Sequence, residues 1–269
     1  MIKKTFIFFL FIPLLQTALA QKQQLSPKIQ FDYELSLKVD FKQREAILKK
    51  NGEELGVYEK ALSMISGSVH AADITDIVEI GTSNYQINSI GTLNSTLNFA
   101  LQGQKLIRQS SGIVTKNGLL ALNYSEKRGN TELLTAKVNS KTRQVAFESG
   151  STKTGSETLN GNMLDLLSVM YNFIGQKTIA KQSTYLITDS KSIKRYTLNK
   201  AELWDFPFNG TKVKAFRYFK STNHDDDATL EMWLTEKDNI PLRMVIGLGE
   251  RYGATIQVDL KKVPSIFAN

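Results

Sequence analysis

The chain of 269 residues has no cysteine. It forms no disulfide, carries no thiol nucleophile, and has no residue to bear the acyl chains of a bacterial lipoprotein. Its stability must come from packing and strand pairing. Histidine is almost as scarce: His70 and His224 are the only two, which excludes His-rich zinc sites and the H-E-x-x-H pattern of metalloproteases. No G-x-S-x-G elbow is present, so nothing points to an α/β-hydrolase. Lys153-Thr154-Gly155 matches the short K-T-G element of penicillin-recognising enzymes, but the companion S-x-x-K is missing. Gly150 and Gly155 have the separation of a phosphate loop, yet Ser156 stands where the loop needs lysine. There is no repeat of fixed period, and no dense polybasic run of the kind that marks a nucleic-acid or membrane tail.

What is present begins with a basic start, Met1-Ile2-Lys3-Lys4, followed by an apolar run from Phe6 to Leu15 and an A-x-A site at Ala18-Leu19-Ala20. That order is a secretory signal peptide. The run is shorter than the roughly 20 apolar residues of a membrane-crossing helix. The expectation is a signal peptide over 1–20 and a mature chain, 21–269, soluble in a bacterial periplasm with no transmembrane segment. Export argues against nucleic-acid partners and nucleotide-driven chemistry. The precursor carries 34 basic and 26 acidic residues. Removing Lys3 and Lys4 leaves a net charge of +6, which serves solubility or attraction to anionic headgroups.

The mature chain reads mostly as β-structure. Phe31, Tyr33, Leu35, Leu37, Val39 and Phe41 alternate with Asp32, Glu34, Ser36, Lys38 and Asp40, a period of two that separates an apolar from a polar face. Further strands are expected at Tyr85 to Ile90, Thr96 to Leu101, Leu119 to Tyr124 and Leu133 to Val138. Late in the chain, Leu230-Met232-Leu234, Leu242-Met244-Ile246 and Ala254-Ile256-Val258-Leu260 repeat the alternation. Pro241 stands at the start of its strand, where a missing N–H is tolerated. Asn51-Gly52, Asn117-Gly118 and Asn209-Gly210 are tight-turn signals. Arg44 to Ser66 fits either a hairpin about Asn51-Gly52 or a partly helical stretch.

One segment breaks the pattern. After the Ser/Thr/Gly-rich stretch Ser149 to Ser156, which reads as a linker or as part of one continuous sheet, Asn162 can cap a helix from Met163 to Gly175. Leu166, Leu167, Met170, Phe173 and Ile174 then recur at helical spacing, with Gly175 as the stop. A lone apolar helix among strands packs most simply into the hollow of a curved sheet, as a core plug or as one wall of a ligand cavity. If such a cavity exists, Leu166, Met170, Phe173 and Trp233 are its candidate lining; all four serve equally well as core.

The clusters that remain are bland. His224-Asp225-Asp226-Asp227 is the densest set of metal-ligand types, and Asn223, Asp225 and Asp227 have the spacing of an EF-hand start. Ala228 replaces its glycine and Leu234 its bidentate glutamate, so a polar loop is the reading and no metal is assigned. Lys212, Lys214, Arg217 and Lys220 surround Phe216, Tyr218 and Phe219, which suits single-stranded nucleic acid; strand alternation and export explain them better. Asp165 and Glu231 are carboxylates suited to acid–base chemistry, with nothing in the sequence placing a second group beside either. An outer-membrane barrel is disfavoured by the many charges and by the ending Phe267-Ala268-Asn269, which lacks a terminal aromatic.

Ser111-Gly112 leading to Gly118-Leu119, then Tyr124 to Arg128, Asp165-Leu166-Leu167-Ser168 and Tyr171 form an ordered set of short motifs. Glu231-Met232-Trp233-Leu234, Ile240-Pro241-Leu242-Arg243 and Gly253-Ala254-Thr255 complete it. From Thr75 to Lys262 the chain resembles the exported bacterial domain-of-unknown-function family 3108. The resemblance implies an envelope protein with a curved, mostly β domain, and brings no catalytic residue with it. The expectation is one mainly β domain, a curved antiparallel sheet or incomplete barrel with one packed α-helix. It would use no cofactor and bind an apolar or amphipathic envelope molecule; the alternative is an envelope protein-interaction or assembly factor.

Overall fold

Alternating apolar and polar residues need a partner strand on each side and a common apolar face, and the chain satisfies both with one sheet. The computed structural model describes residues 27–54, 56, 68–94, 105–220, 228–248 and 254–267. The leader at 1–20, the strand expected at Thr96 to Leu101, the His224 to Asp227 cluster, Gly253 and most of 55–66 lie outside the described residues.

In chain order the elements are β1 (Lys28–Val39), α1 (Phe41–Lys50), β2 (Ser68–Ile80), β3 (Asn84–Leu93), β4 (Lys105–Thr115) and β5 (Gly118–Arg128). Next come β6 (Leu134–Asn139), β7 (Gln144–Ser149), β8 (Thr152–Thr158), β9 (Met163–Asp165) and α2 (Ser168–Tyr171). The remainder is β10 (Gln182–Thr188), β11 (Ile193–Phe208), β12 (Thr211–Lys220), β13 (Ala228–Thr235), β14 (Pro241–Leu248) and β15 (Ala254–Leu260). All fifteen strands join one open, curved sheet in the order β8-β7-β6-β5-β4-β3-β2-β1-β15-β14-β13-β12-β11-β10-β9. Each half is a meander of neighbouring strands, and β1 paired with β15 joins the two. Every ladder is antiparallel except β9 with β10.

The turns follow their chemistry. Asn209 and Gly210 both have positive φ, 48° and 76°, and close the β11–β12 hairpin as a twist-matched two-residue turn. Asn51-Gly52 does different work. It ends α1, with Gly52 at φ 72° and the Glu53 amide bonded back to the Leu48 carbonyl, so the helical reading of this stretch is the one realised. Lys49 and Lys50 sit in the last turn of α1, where cations favour the helix dipole, and Lys49 pairs with Glu45 at 2.9 Å. Ser149 to Ser156 is no linker: it is the β7–β8 hairpin, turning at Gly150. A bulge between Ser111 and Gly112 breaks the β4–β5 register, and a side chain at Gly112 would collide with the Leu120 carbonyl.

The helix expected over Met163 to Gly175 is the main correction. Only Ser168–Tyr171 is helical, while Met163–Asp165 is a strand pairing in parallel with Leu186–Thr188. Asn162 does not cap the helix; the N-cap position is Leu167, without a side-chain cap bond. Met163, Leu164, Leu167, Val169, Met170 and Phe173 are each 0–1 % exposed. A run buried on every side satisfies helical spacing and extended structure alike, so the period could not decide between them. Gly175, at φ 73°, does end the segment. The core therefore sits where 159–175 lies between β5 of one half and β14 of the other, a filled interior in place of a packed long helix.

Candidate functional site

The inner segment is held to the first half of the sheet by polar side chains. Asp165 at the end of β9 is fully buried. Its Oδ2 accepts the Ser110 hydroxyl at 2.6 Å, and its Oδ1 accepts the Leu167 and Ser168 amides at 2.9 and 2.8 Å. The Ser168 hydroxyl in turn bonds the Asp165 amide at 2.9 Å, and Tyr85 contacts Ser110 at 3.0 Å. Burial pushes the Asp165 carboxyl up, against the downward pull of the Ser110 hydrogen bond. Six residues on, the Tyr171 hydroxyl donates to Asp76 Oδ2 at 2.6 Å and lies 3.2 Å from the Tyr33 hydroxyl. Asn172 then accepts the Leu119 amide on its Oδ1 at 2.8 Å.

Under this segment a polar row crosses four neighbouring strands. Asp76 on β2 faces Ser89 on β3, Ser89 faces Arg108 on β4, and Arg108 faces Glu126 on β5. The Arg108 guanidinium donates to the Ser89 hydroxyl at 3.1 Å. Glu126 accepts Tyr124 at 3.0 Å and Arg128 at 2.7 Å. Burial raises the Asp76 carboxyl, and the Arg108 charge opposes that rise. Asp76 Oδ1 makes no hydrogen bond of ordinary geometry, although Ser89 and Arg108 lie close enough to favour its charge. With no solvent path to Asp165 and every oxygen of it engaged, this carboxyl acts as a bolt. A buried donor left without its acceptor costs about 1–3 kcal/mol, so each bond fixes the segment's position.

Against the second half the same segment makes apolar contacts. Phe173 stacks on Tyr218 with centroids 5.0 Å apart and meets Tyr185 edge-on at 6.1 Å. Met170 and Phe173 are thus core residues, and Leu166 is half-buried beside them. Trp233 is elsewhere. It alternates with the buried Met232 and Leu234, packs at a tilt against Phe206 with centroids 5.1 Å apart, and donates its indole N–H to Glu231 at 2.7 Å. Phe206 reaches it because β11 changes register between Lys200 and Leu203. Glu231 is partly exposed, with Arg217 3.7 Å away.

Where the inner segment leaves the sheet, a depression of about 440 Å³ opens between the β4–β5 turn and residues 172–178. Ile80, Val114 and Ile174 form its apolar wall and Lys116 and Lys177 lie at its margin. A side chain at Gly118 would run into Asn172, and its φ of 112° independently demands glycine. The exit is rigid: the Asn239 amide donates to the Gln176 carbonyl at 2.8 Å and the Gln176 amide to the Asn172 carbonyl at 2.5 Å. Among the described residues no three potential metal ligands come together, and no helix is long and apolar enough to cross a membrane.

Sequence reasoning singled out Asp165 but not its partners. Ser110, Asp76 and Arg108 lie on strands that had not been assigned, and only the alternation Tyr124-Ser125-Glu126 within β5 hinted at a charge on a buried face. No family model matches the chain, and no curated protein matches it.

Proposed function

We propose that the mature chain is a non-enzymatic binding protein of the bacterial periplasm that takes an amphipathic envelope molecule. The observation that carries this reading is the 440 Å³ depression at the exit of the inner segment, where half-exposed Ile80, Val114 and Ile174 lie beside polar groups. Pockets of about 300–1,000 Å³ with an apolar lining and few polar groups are the usual form of a small-molecule site. Because Met163, Leu167, Met170 and Phe173 are themselves buried core, the ligand is placed at the rim and not among them. Membership of the resembled envelope family and cleavage after Ala20 belong to the same proposal.

Native mass spectrometry with lipid extraction, on protein purified gently from a periplasm, tests it. The expected result is a mature mass starting at Gln21 with a reproducible bound amphiphile. Protein that retains its leader, or is empty in every preparation, overturns the reading.

A second reading, an envelope interaction factor, is favoured by one feature. Trp204 is 60 % exposed and Leu203 37 % exposed, side by side at the β11 register shift. Exposed aromatic anchors are typical of protein interfaces. In-cell crosslinking from position 204 that captures one stoichiometric protein would favour this reading over the first.

A further inference from the structure

We propose that the rim depression binds the acidic end of its ligand, a carboxylate or phosphate on an alkyl chain, through Lys116 and Lys177. This rests on the amphiphile-binding reading and assigns its chemistry. Two ammonium groups at the site are left unspent. Lys116 and Lys177 are exposed and enter no ion pair with a described residue. Asn172 spends its Oδ1 on the Leu119 amide and turns its Nδ2 toward the Tyr185 hydroxyl, so it is not one of them.

The lining contains no aspartate or glutamate to answer these donors. An acceptor-rich anion does so, and two ammonium groups supply the attraction. A bare anion would leave the wall of Ile80, Val114 and Ile174 against water. An acid carrying an alkyl chain covers that wall and meets the donors together.

The test is calorimetric titration of the full mature protein with decanoate, decyl phosphate and uncharged decanol, each below its aggregation limit. The variant is Lys116→Gln/Lys177→Gln, both exposed positions, with unchanged thermal unfolding as the control. Wild type is expected to bind at least one acid about tenfold more tightly than decanol. The variant is expected to lose that advantage while binding decanol as before. The tighter of the two acids identifies the headgroup as carboxylate or phosphate. Acid binding unchanged in the variant, or decanol binding equal to the acids in wild type, overturns this proposal and leaves the amphiphile reading standing. No binding of any of the three by wild type overturns both.

Discussion

The two halves of the sheet hold the same inner segment by different physics. The β1–β8 half grips it through hydrogen bonds: Ser110 to Asp165, Tyr171 to Asp76, and the Leu119 amide to Asn172. The β10–β15 half pairs β10 with β9 along the backbone but meets the rest of the segment mainly through apolar side chains: Tyr218 and Tyr185 against Phe173, with Met232, Leu234 and Met244 buried in the same core. Hydrogen bonds exchange with water and add little net energy, but they penalise any displacement that leaves them unmade. Apolar burial is non-directional and contributes most of the stabilisation. The hydrogen bonds therefore set where the segment lies, and apolar burial supplies most of the energy that keeps it there.

The largest expected effect tests the apolar side. Phe173→Ala removes a fully buried ring and its stacking partner contact, and should cost about 3–5 kcal/mol in urea unfolding. Tyr171→Phe keeps the ring against Phe31, 5.2 Å away, but strips Asp76 of its donor. Its expected cost is about 1–3 kcal/mol, read from the shift in denaturation midpoint at constant slope. If Tyr171→Phe proved the costlier of the two, the assignment of energy to the apolar side would be inverted.

The smallest effect sharpens the comparison through pH. Burial raises the Asp165 carboxyl, so the folded state holds a proton that the unfolded state releases. That contribution is complete below the ordinary carboxylate range, about pH 4, and fades as pH rises through the folded-state value. Asn in its place does not titrate and can still accept two amides and donate to Ser110. The stability of wild type relative to Asp165→Asn should therefore decline as pH rises above about 4, measured as the difference in melting temperature. A difference independent of pH would remove Asp165 as a titrating bolt.

How much of this was legible in the sequence depends on what each signal constrains. Period two fixed β1 and the last three strands, because each has one buried face and its alternation is unbroken. Asn209-Gly210 marked its hairpin because both residues tolerate positive φ. The same dipeptide at Asn51-Gly52 ends a helix, since positive φ serves a helix stop as well as a hairpin. β11 escaped notice because its register shift between Lys200 and Leu203 interrupts the alternation across a sixteen-residue strand. The segment from Met163 to Phe173 misled for the opposite reason: burial on all sides leaves no polar face to set a period. Of the candidate lining, Leu166, Met170 and Phe173 lie along the inner segment, whereas Trp233 lies with Phe206 and Arg217. The depression at the rim was illegible, because it brings Lys116 and Lys177 together from segments that no local pattern connects.

The inner segment is a fixed part of the core, and the proposed binding at its exit depends on that. Native-state hydrogen exchange tests this most directly at the amides of Leu167, Ser168 and Leu119, all bonded to side chains at or within the segment. The account predicts that these three exchange as slowly as the β5 ladder amides, released only by global unfolding. Exchange of Leu167 and Ser168 at a much faster rate, with the β5 ladder still protected, would contradict it by showing that the segment opens on its own.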